Sequence, residues 1–228
     1  MIRNHFPLGR SPLPLVAGLL LATLAGCTTL PNDVLRQYAS EALRDNDIPK
    51  ADEYLAQAVK QDPTDWISQY MLGRVELAKG NPVRAESCFE QALVNRVGTK
   101  DEPMILDGVA EALLKQDNKG RLAGFLKQQA HDHPTVGLYL WQAKFLAKMG
   151  DPDGAVLSFK KAAGIAGKHD AAPYLAAADY YASINDREAQ VLALRRAYTA
   201  DQDSTPVYVH LRLAGLEPSK QLFLPPEE

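Results

Sequence analysis

A repeat sets the limits on this chain's fold. Gly80 to Leu93 reads GNPVRAESCFEQAL, and the pattern returns seventy residues on, from Gly150 to Ala163, as GDPDGAVLSFKKAA. The coinciding pairs are Gly80/Gly150, Asn81/Asp151, Pro82/Pro152, Ala85/Ala155, Phe89/Phe159 and Ala92/Ala162. A third copy lies 34 residues upstream, where Ala51, Leu55 and Ala58 stand for Ala85, Phe89 and Ala92. A fixed period of 34 to 35 residues calls for stacked helical hairpins, each burying one face on its neighbour, rather than one closed core.

The physics of one unit is readable. Gly80 takes the left-handed conformation that ends a first helix. Asn81, or Asp151, is placed to accept a hydrogen bond from an orphan N–H of the second helix. Pro82 and Pro152 fall at the first helical position, where the missing N–H costs nothing. Ala85, Phe89 and Ala92 share one face of the second helix. Gly73 and Ala143 mark a close approach on the first helix.

This pattern resembles the tetratricopeptide repeat. The resemblance implies an all-α, right-handed superhelical solenoid of about five repeats with a C-terminal capping helix. Repeat one, Asn32 to Asp65, carries Leu35, Tyr38, Ala39, Ala51, Leu55, Ala58 and Pro63. Repeat two starts at Trp66 and carries Leu72, Gly73, Ala85, Phe89 and Ala92, with Glu76 in place of the usual aromatic. Repeat three, from Pro103 to about Pro134, is the weakest: Leu122 and Gln129 replace alanines, so its second helix is expected to be displaced or irregular. Repeats four and five start near Val136 and Ala171, and a final helix is expected over about Thr205 to Ala214. Residues 32–216 are thus read as the solenoid and 217–228 as an irregular tail, in which Leu222, Phe223 and Leu224 could pack back onto the last repeat.

The N-terminus reads differently. Arg3 and Arg10 precede a mostly apolar run from Leu13 to Ala25, too short for a comfortable membrane span. It reads as a secretory signal peptide over residues 1–26. Leu24-Ala25-Gly26-Cys27 resembles the lipobox of bacterial lipoproteins. That resemblance implies cleavage before Cys27, lipidation of its thiol and, since Thr28 rather than aspartate follows, an outer-membrane destination. Each buried methylene contributes about 0.8 kcal/mol, so two or three acyl chains anchor stably where one does not. Residues 27–31 form a short tether that keeps the first repeat close to the bilayer. With Cys27 lipidated, Cys88 has no disulfide partner and is read as a buried small hydrophobe.

Removing residues 1–26 leaves 23 basic against 28 acidic side chains, which offers neither a nucleic-acid footprint nor a polybasic lipid-binding patch. No catalytic or cofactor motif is present: HExxH, a phosphate loop, GxSxG and a Cys-x-x-Cys pair are all missing from the sequence. His131 and His133 lack a third ligand at metal spacing and read as a polar turn. Glu86, Glu90 and Asp153 read as exposed or at helix starts. The expectation is a binding protein, not an enzyme, without cofactor or metal.

In the tetratricopeptide family the first helices line the concave face. The resemblance assigns Arg36 and Arg44 to that face in repeat one, and Ile67, Tyr70, Arg74 and Leu77 in repeat two. Repeat three gives Met104, Asp107, Glu111, Leu114 and Lys115; repeat four gives Leu140, Lys144 and Lys148; repeat five gives Leu175 and Asp179. Tyr70 and Arg74, one helical turn apart, are the preferred anchors. The lysine/asparagine set that clamps a terminal carboxylate in some members is not reproduced. The expected partner is another envelope protein, docking as a peptide or helix. The chain resembles pilot and assembly lipoproteins of type IV and Tad pili, and is also similar to lipoprotein adaptors for cell-wall hydrolases or synthesis enzymes.

Overall fold

The computed structural model describes residues 29–219 and 222–223. The signal-peptide and Cys27 expectations lie outside the described residues, as does Leu224. The chain divides into Met1–Leu30 and Pro31–Glu228, and the second unit holds every described helix. Those helices are α1 (Asn32–Arg44), α2 (Ile48–Gln61), α3 (Trp66–Ala78), α4 (Pro82–Asn95), α5 (Glu102–Lys115), α6 (Lys119–Asp132), α7 (Val136–Met149), α8 (Pro152–Ile165), α9 (Ala172–Ser183), α10 (Arg187–Ala200) and α11 (Thr205–Leu213). Each packs chiefly on its sequence neighbours, and α3, α5, α7 and α9 also touch in series, which is the signature of a solenoid.

One turn recurs in all five hairpins. The residue between paired helices is left-handed: Asn46, Gly80, Asp117, Gly150 and Asn185. Outside glycine, asparagine and aspartate tolerate this region best. The next N–H reaches back across the turn to the first helix, Asp47 to the Ala42 carbonyl at 2.8 Å and Asp186 to Tyr181 at 2.9 Å, so orphan carbonyls are satisfied. That next residue then caps the second helix. The side chains of Asp47, Asn118, Asp151 and Asp186 accept from the N–H groups of Lys50, Arg121, Gly154 and Ala189. The same backbone closure ends α11, where Gly215 is left-handed and the Leu216 N–H bonds the Leu211 carbonyl at 2.9 Å.

Asn81 departs from the expected capping role. Its amide donates to Glu76 Oε2 at 2.9 Å instead of capping α4. Glu76 explains the exchange. It is fully buried, and its carboxylate also takes Lys79 at 3.1 Å and Arg84 at 3.2 Å. A buried charge must be paired, so three donors converge where an aromatic ring would ordinarily pack. Glu86 corrects a second expectation. It is buried rather than exposed, and bonds Gln116 at 2.7 Å and Arg121 at 3.2 Å, tying α4 to the turn into α6 and to α6 itself.

The second helix of repeat three is displaced, as one half of the expectation had it, but regular rather than irregular. Asn118 caps it and it runs fourteen residues. Leu122, Leu126 and Ala130 are its buried residues, so the last core contact moves one place past Gln129. Leucine in place of alanine holds the helices apart, and α6 lies against α5 less closely than α4 against α3. Elsewhere the spacing is tight. A Cβ added at Gly73 or at Gly108 would sit 2.8 Å from the Phe89 ring, so that ring is gripped between α3 and α5. Cys88 is buried, and burial pushes its thiol up to about 11. At the C-terminus Phe223 stacks on Tyr198 with centroids 5.2 Å apart, and Arg195 donates to the Leu222 and Phe223 carbonyls.

Candidate binding groove

The first helices α3, α5, α7 and α9 form a continuous wall, and two hollows open along it. The larger, about 560 Å³, lies across α3, α5 and α7. Tyr70, Arg74 and Leu77 line it from α3, with Pro103, Met104, Asp107, Gly108 and Glu111 from α5. Phe89 and Trp141 complete it. The smaller, about 340 Å³, lies between α7 and α9 and is lined by Leu140, Lys144, Asp179, Tyr180 and Phe159 among others. Phe89 and Phe159 play equivalent parts: each second-helix ring stacks on a tyrosine of a first helix, Tyr70 at 5.6 Å and Tyr180 at 5.6 Å.

Local chemistry fixes the larger hollow. The Tyr70 ring rests on Phe89, with Arg74 beside its hydroxyl. Burial raises the Tyr70 pKa; Arg74 pulls the other way, and Asp107 and Glu111 add to the rise. Asp107 is neutralised by Lys144 at 2.7 Å, a bridge from α5 to α7 that also spans the two hollows. Trp141 packs edge-on to Phe125 at 6.0 Å and to Phe145 at 5.5 Å, forming an aromatic prop beside Gly108.

The structure brings together Tyr70, Arg74, Leu77, Asp107 and Glu111 in one hollow and Leu140, Lys144 and Asp179 in the next. It leaves seven sequence-assigned residues outside both: Leu114, Lys115 and Leu175, together with Arg36, Arg44, Ile67 and Lys148. Arg36 is ion-paired with Asp65 at the junction of repeats one and two. Arg44 reaches only Glu41, at 3.9 Å, on the outer end of α1. Ile67 is exposed at the start of α3. Lys148 lies over the Phe145 ring at 5.3 Å, as Lys144 does at 5.0 Å. Asp179 meets His210 of α11 at 3.2 Å, which links the end of the wall to the last helix. Sequence reasoning missed Trp141. Its signal was positional, since it holds the place in repeat four that Gly108 holds in repeat three.

Asp65 shows how the wall is stitched. It caps α3 through the Ile67 and Ser68 N–H groups and binds the Ser68 hydroxyl at 2.7 Å and Asn32 at 3.2 Å. Burial opposes its ionisation, but the bonds from Ser68 and Asn32 and the Arg36 charge outweigh it, so the carboxyl sits below its usual pKa. Among the described residues no group of three or more His, Cys, Asp or Glu side chains is arranged to hold a metal. No described helix is long and apolar enough to cross a membrane.

No family model matches the sequence, and no curated relative matches it. Solved structures do match. A tetratricopeptide repeat protein from Parabacteroides merdae ATCC 43184 superposes with a TM-score of 0.53 at 18% identity, over 84% of this chain and 73% of that one. The MamA protein gives 0.50 at 17% identity, over 75% of this chain and 92% of that one. MamA from Desulfovibrio magneticus RS-1 gives 0.50 at 14% identity, over 76% and 97%. With the repeated turn, the gripped Phe89 ring and the serial contact of first helices, these likenesses show that the chain has the fold of a tetratricopeptide-repeat solenoid.

Proposed function

We propose that this protein is a lipid-anchored scaffold of a bacterial envelope that captures another envelope protein through the wall of first helices. The supporting observation is the larger hollow, where Tyr70, Arg74, Leu77, Met104 and Trp141 offer an amphipathic surface about the size of ordinary ligand sites, roughly 300–1,000 Å³. Aromatic and arginine side chains are the usual anchors of such contacts. Anchoring is carried by the lipobox-like Leu24-Ala25-Gly26-Cys27, with acyl chains on Cys27 and the outer membrane as destination. Partner binding is the whole activity in this reading; no reaction is assigned.

The partner is read as a component of a pilus or secretion assembly, by resemblance to lipoproteins that pair a lipobox with these repeats. The test is a pull-down from detergent-solubilised envelopes with mass-spectrometric identification. Wild type should retain one dominant envelope protein, and Tyr70→Ala with Arg74→Ala should lose it while melting normally. A cell-wall hydrolase or synthesis enzyme as the retained protein would replace the pilus reading. Undiminished capture by the double variant would remove the groove from the account.

A further inference from the structure

We infer that the larger hollow selects an extended peptide segment in which one large apolar side chain stands between an acidic and a basic residue. This rests on the groove reading above and adds the partner's chemistry. The middle of the hollow is apolar: the Phe89 ring, Trp141, Leu77 and the half-exposed Met104 surround a space large enough for an aromatic side chain. The rims carry the charges. Asp107 is satisfied by Lys144 at 2.7 Å. That leaves Arg74 on α3 and Glu111 on the neighbouring α5. Among the described residues neither makes an ion pair; Arg74 contacts the neutral Tyr70 hydroxyl. Arg74 is exposed and Glu111 half-buried, so both are reachable from the hollow.

A single-sign wall would favour any occupant of the opposite charge. Opposite signs on adjacent helices do something different. They reward an acid facing α3 and a base facing α5. The two unpaired charges therefore select composition: a well-held occupant carries both signs, one on each side of its apolar residue.

The test is selection from a phage-displayed random dodecapeptide library. Wild type, the single charge reversal Arg74→Glu, and Tyr70→Ala serve as targets, each checked for a normal melt. Wild type should enrich sequences with acid and base flanking an aromatic or large aliphatic residue. Arg74→Glu should enrich sequences with basic residues on both flanks, and the wild-type peptides should bind it about tenfold more weakly. If Tyr70→Ala abolishes binding but both charge forms enrich the same sequences, the groove stands and this inference is wrong. If the wild-type peptides bind Tyr70→Ala unchanged, the groove reading itself fails. If no peptide is enriched, the inference is wrong, and a dimer dispersed by Arg74→Glu in light scattering would name a second copy as the occupant.

Discussion

Replacing Gly108 with alanine should destabilise the protein, although the same change elsewhere in a helix stabilises it. Gly108 lies within α5, where alanine is favoured over glycine by up to about 1 kcal/mol. Its new Cβ would sit 2.8 Å from the Phe89 ring. The ring cannot retreat, because a Cβ at Gly73 would meet it at the same 2.8 Å from the other side. Overpacking of this kind costs about 1–3 kcal/mol. The net loss is about 1–2 kcal/mol, or a fall in Tm of roughly 2–8 °C for a domain of this size. Gly124 is the internal control. It lies within α6 with nothing within 4 Å of an added Cβ, so Gly124→Ala should gain about 0.5–1 kcal/mol and raise Tm. Thermal unfolding followed by far-ultraviolet circular dichroism reads both. In a Phe89→Leu background the penalty at Gly108 should shrink, because the two sites share one space. If Gly108→Ala raises Tm as Gly124→Ala does, Phe89 is not gripped, and the floor of the larger hollow is not the rigid surface described.

Asp65 links stability to pH. Its carboxyl pKa is lowered in the folded protein, so its contribution is fully present above the unfolded value near 4 and is lost as pH falls through the folded one. The Tm gap between wild type and Asp65→Asn should therefore be constant near neutrality and close under acid; a gap unchanged at pH 2.5 would contradict the assignment. Arg121→Ala should cost about 1 kcal/mol, because the buried Glu86 keeps Gln116 while Arg121 is half-exposed; chemical denaturation measures it, and no loss would mean Glu86 is not held by Arg121. Cys88, with its thiol pushed up to about 11, should resist alkylation at pH 8 until the chain unfolds; rapid labelling of the native protein would place the thiol at the surface. Cys27→Ser should move the protein from the membrane fraction to the soluble one, and continued sedimentation with membranes would end the lipid-anchor proposal.

The solenoid was legible because its period comes from backbone chemistry. Gly150-Asp151-Pro152 states stop, cap and start outright, and Gly80-Asn81-Pro82 states stop and start, with Asn81 turned to Glu76 instead. The other three turns carry the same instruction less visibly, since Asn46, Asp117 and Asn185 adopt the left-handed conformation without being glycine. What stayed hidden depended on partners distant in sequence. Glu76 and Glu86 look like surface residues until Lys79, Asn81 and Arg84, or Gln116 and Arg121, are placed around them. Repeat three was legible by half: Leu122 in place of alanine does set α6 further from α5, but the helix itself stays regular. Of the groove, the rim was readable and the prop was not. Tyr70, Arg74 and Glu111 follow from repeat register, but Trp141 stands where the other repeats carry smaller side chains, such as Gly108, and its part in the hollow shows only in three dimensions.

Site-specific photocrosslinking in living cells tests the groove most directly. A benzoyl-phenylalanine at Met104, which lines the larger hollow, should give one discrete adduct with an envelope protein; the same probe at Val83, exposed on α4 and lining neither hollow, should give none. An adduct from Val83 with silence from Met104 would put the partner on the other side of the solenoid and contradict the account.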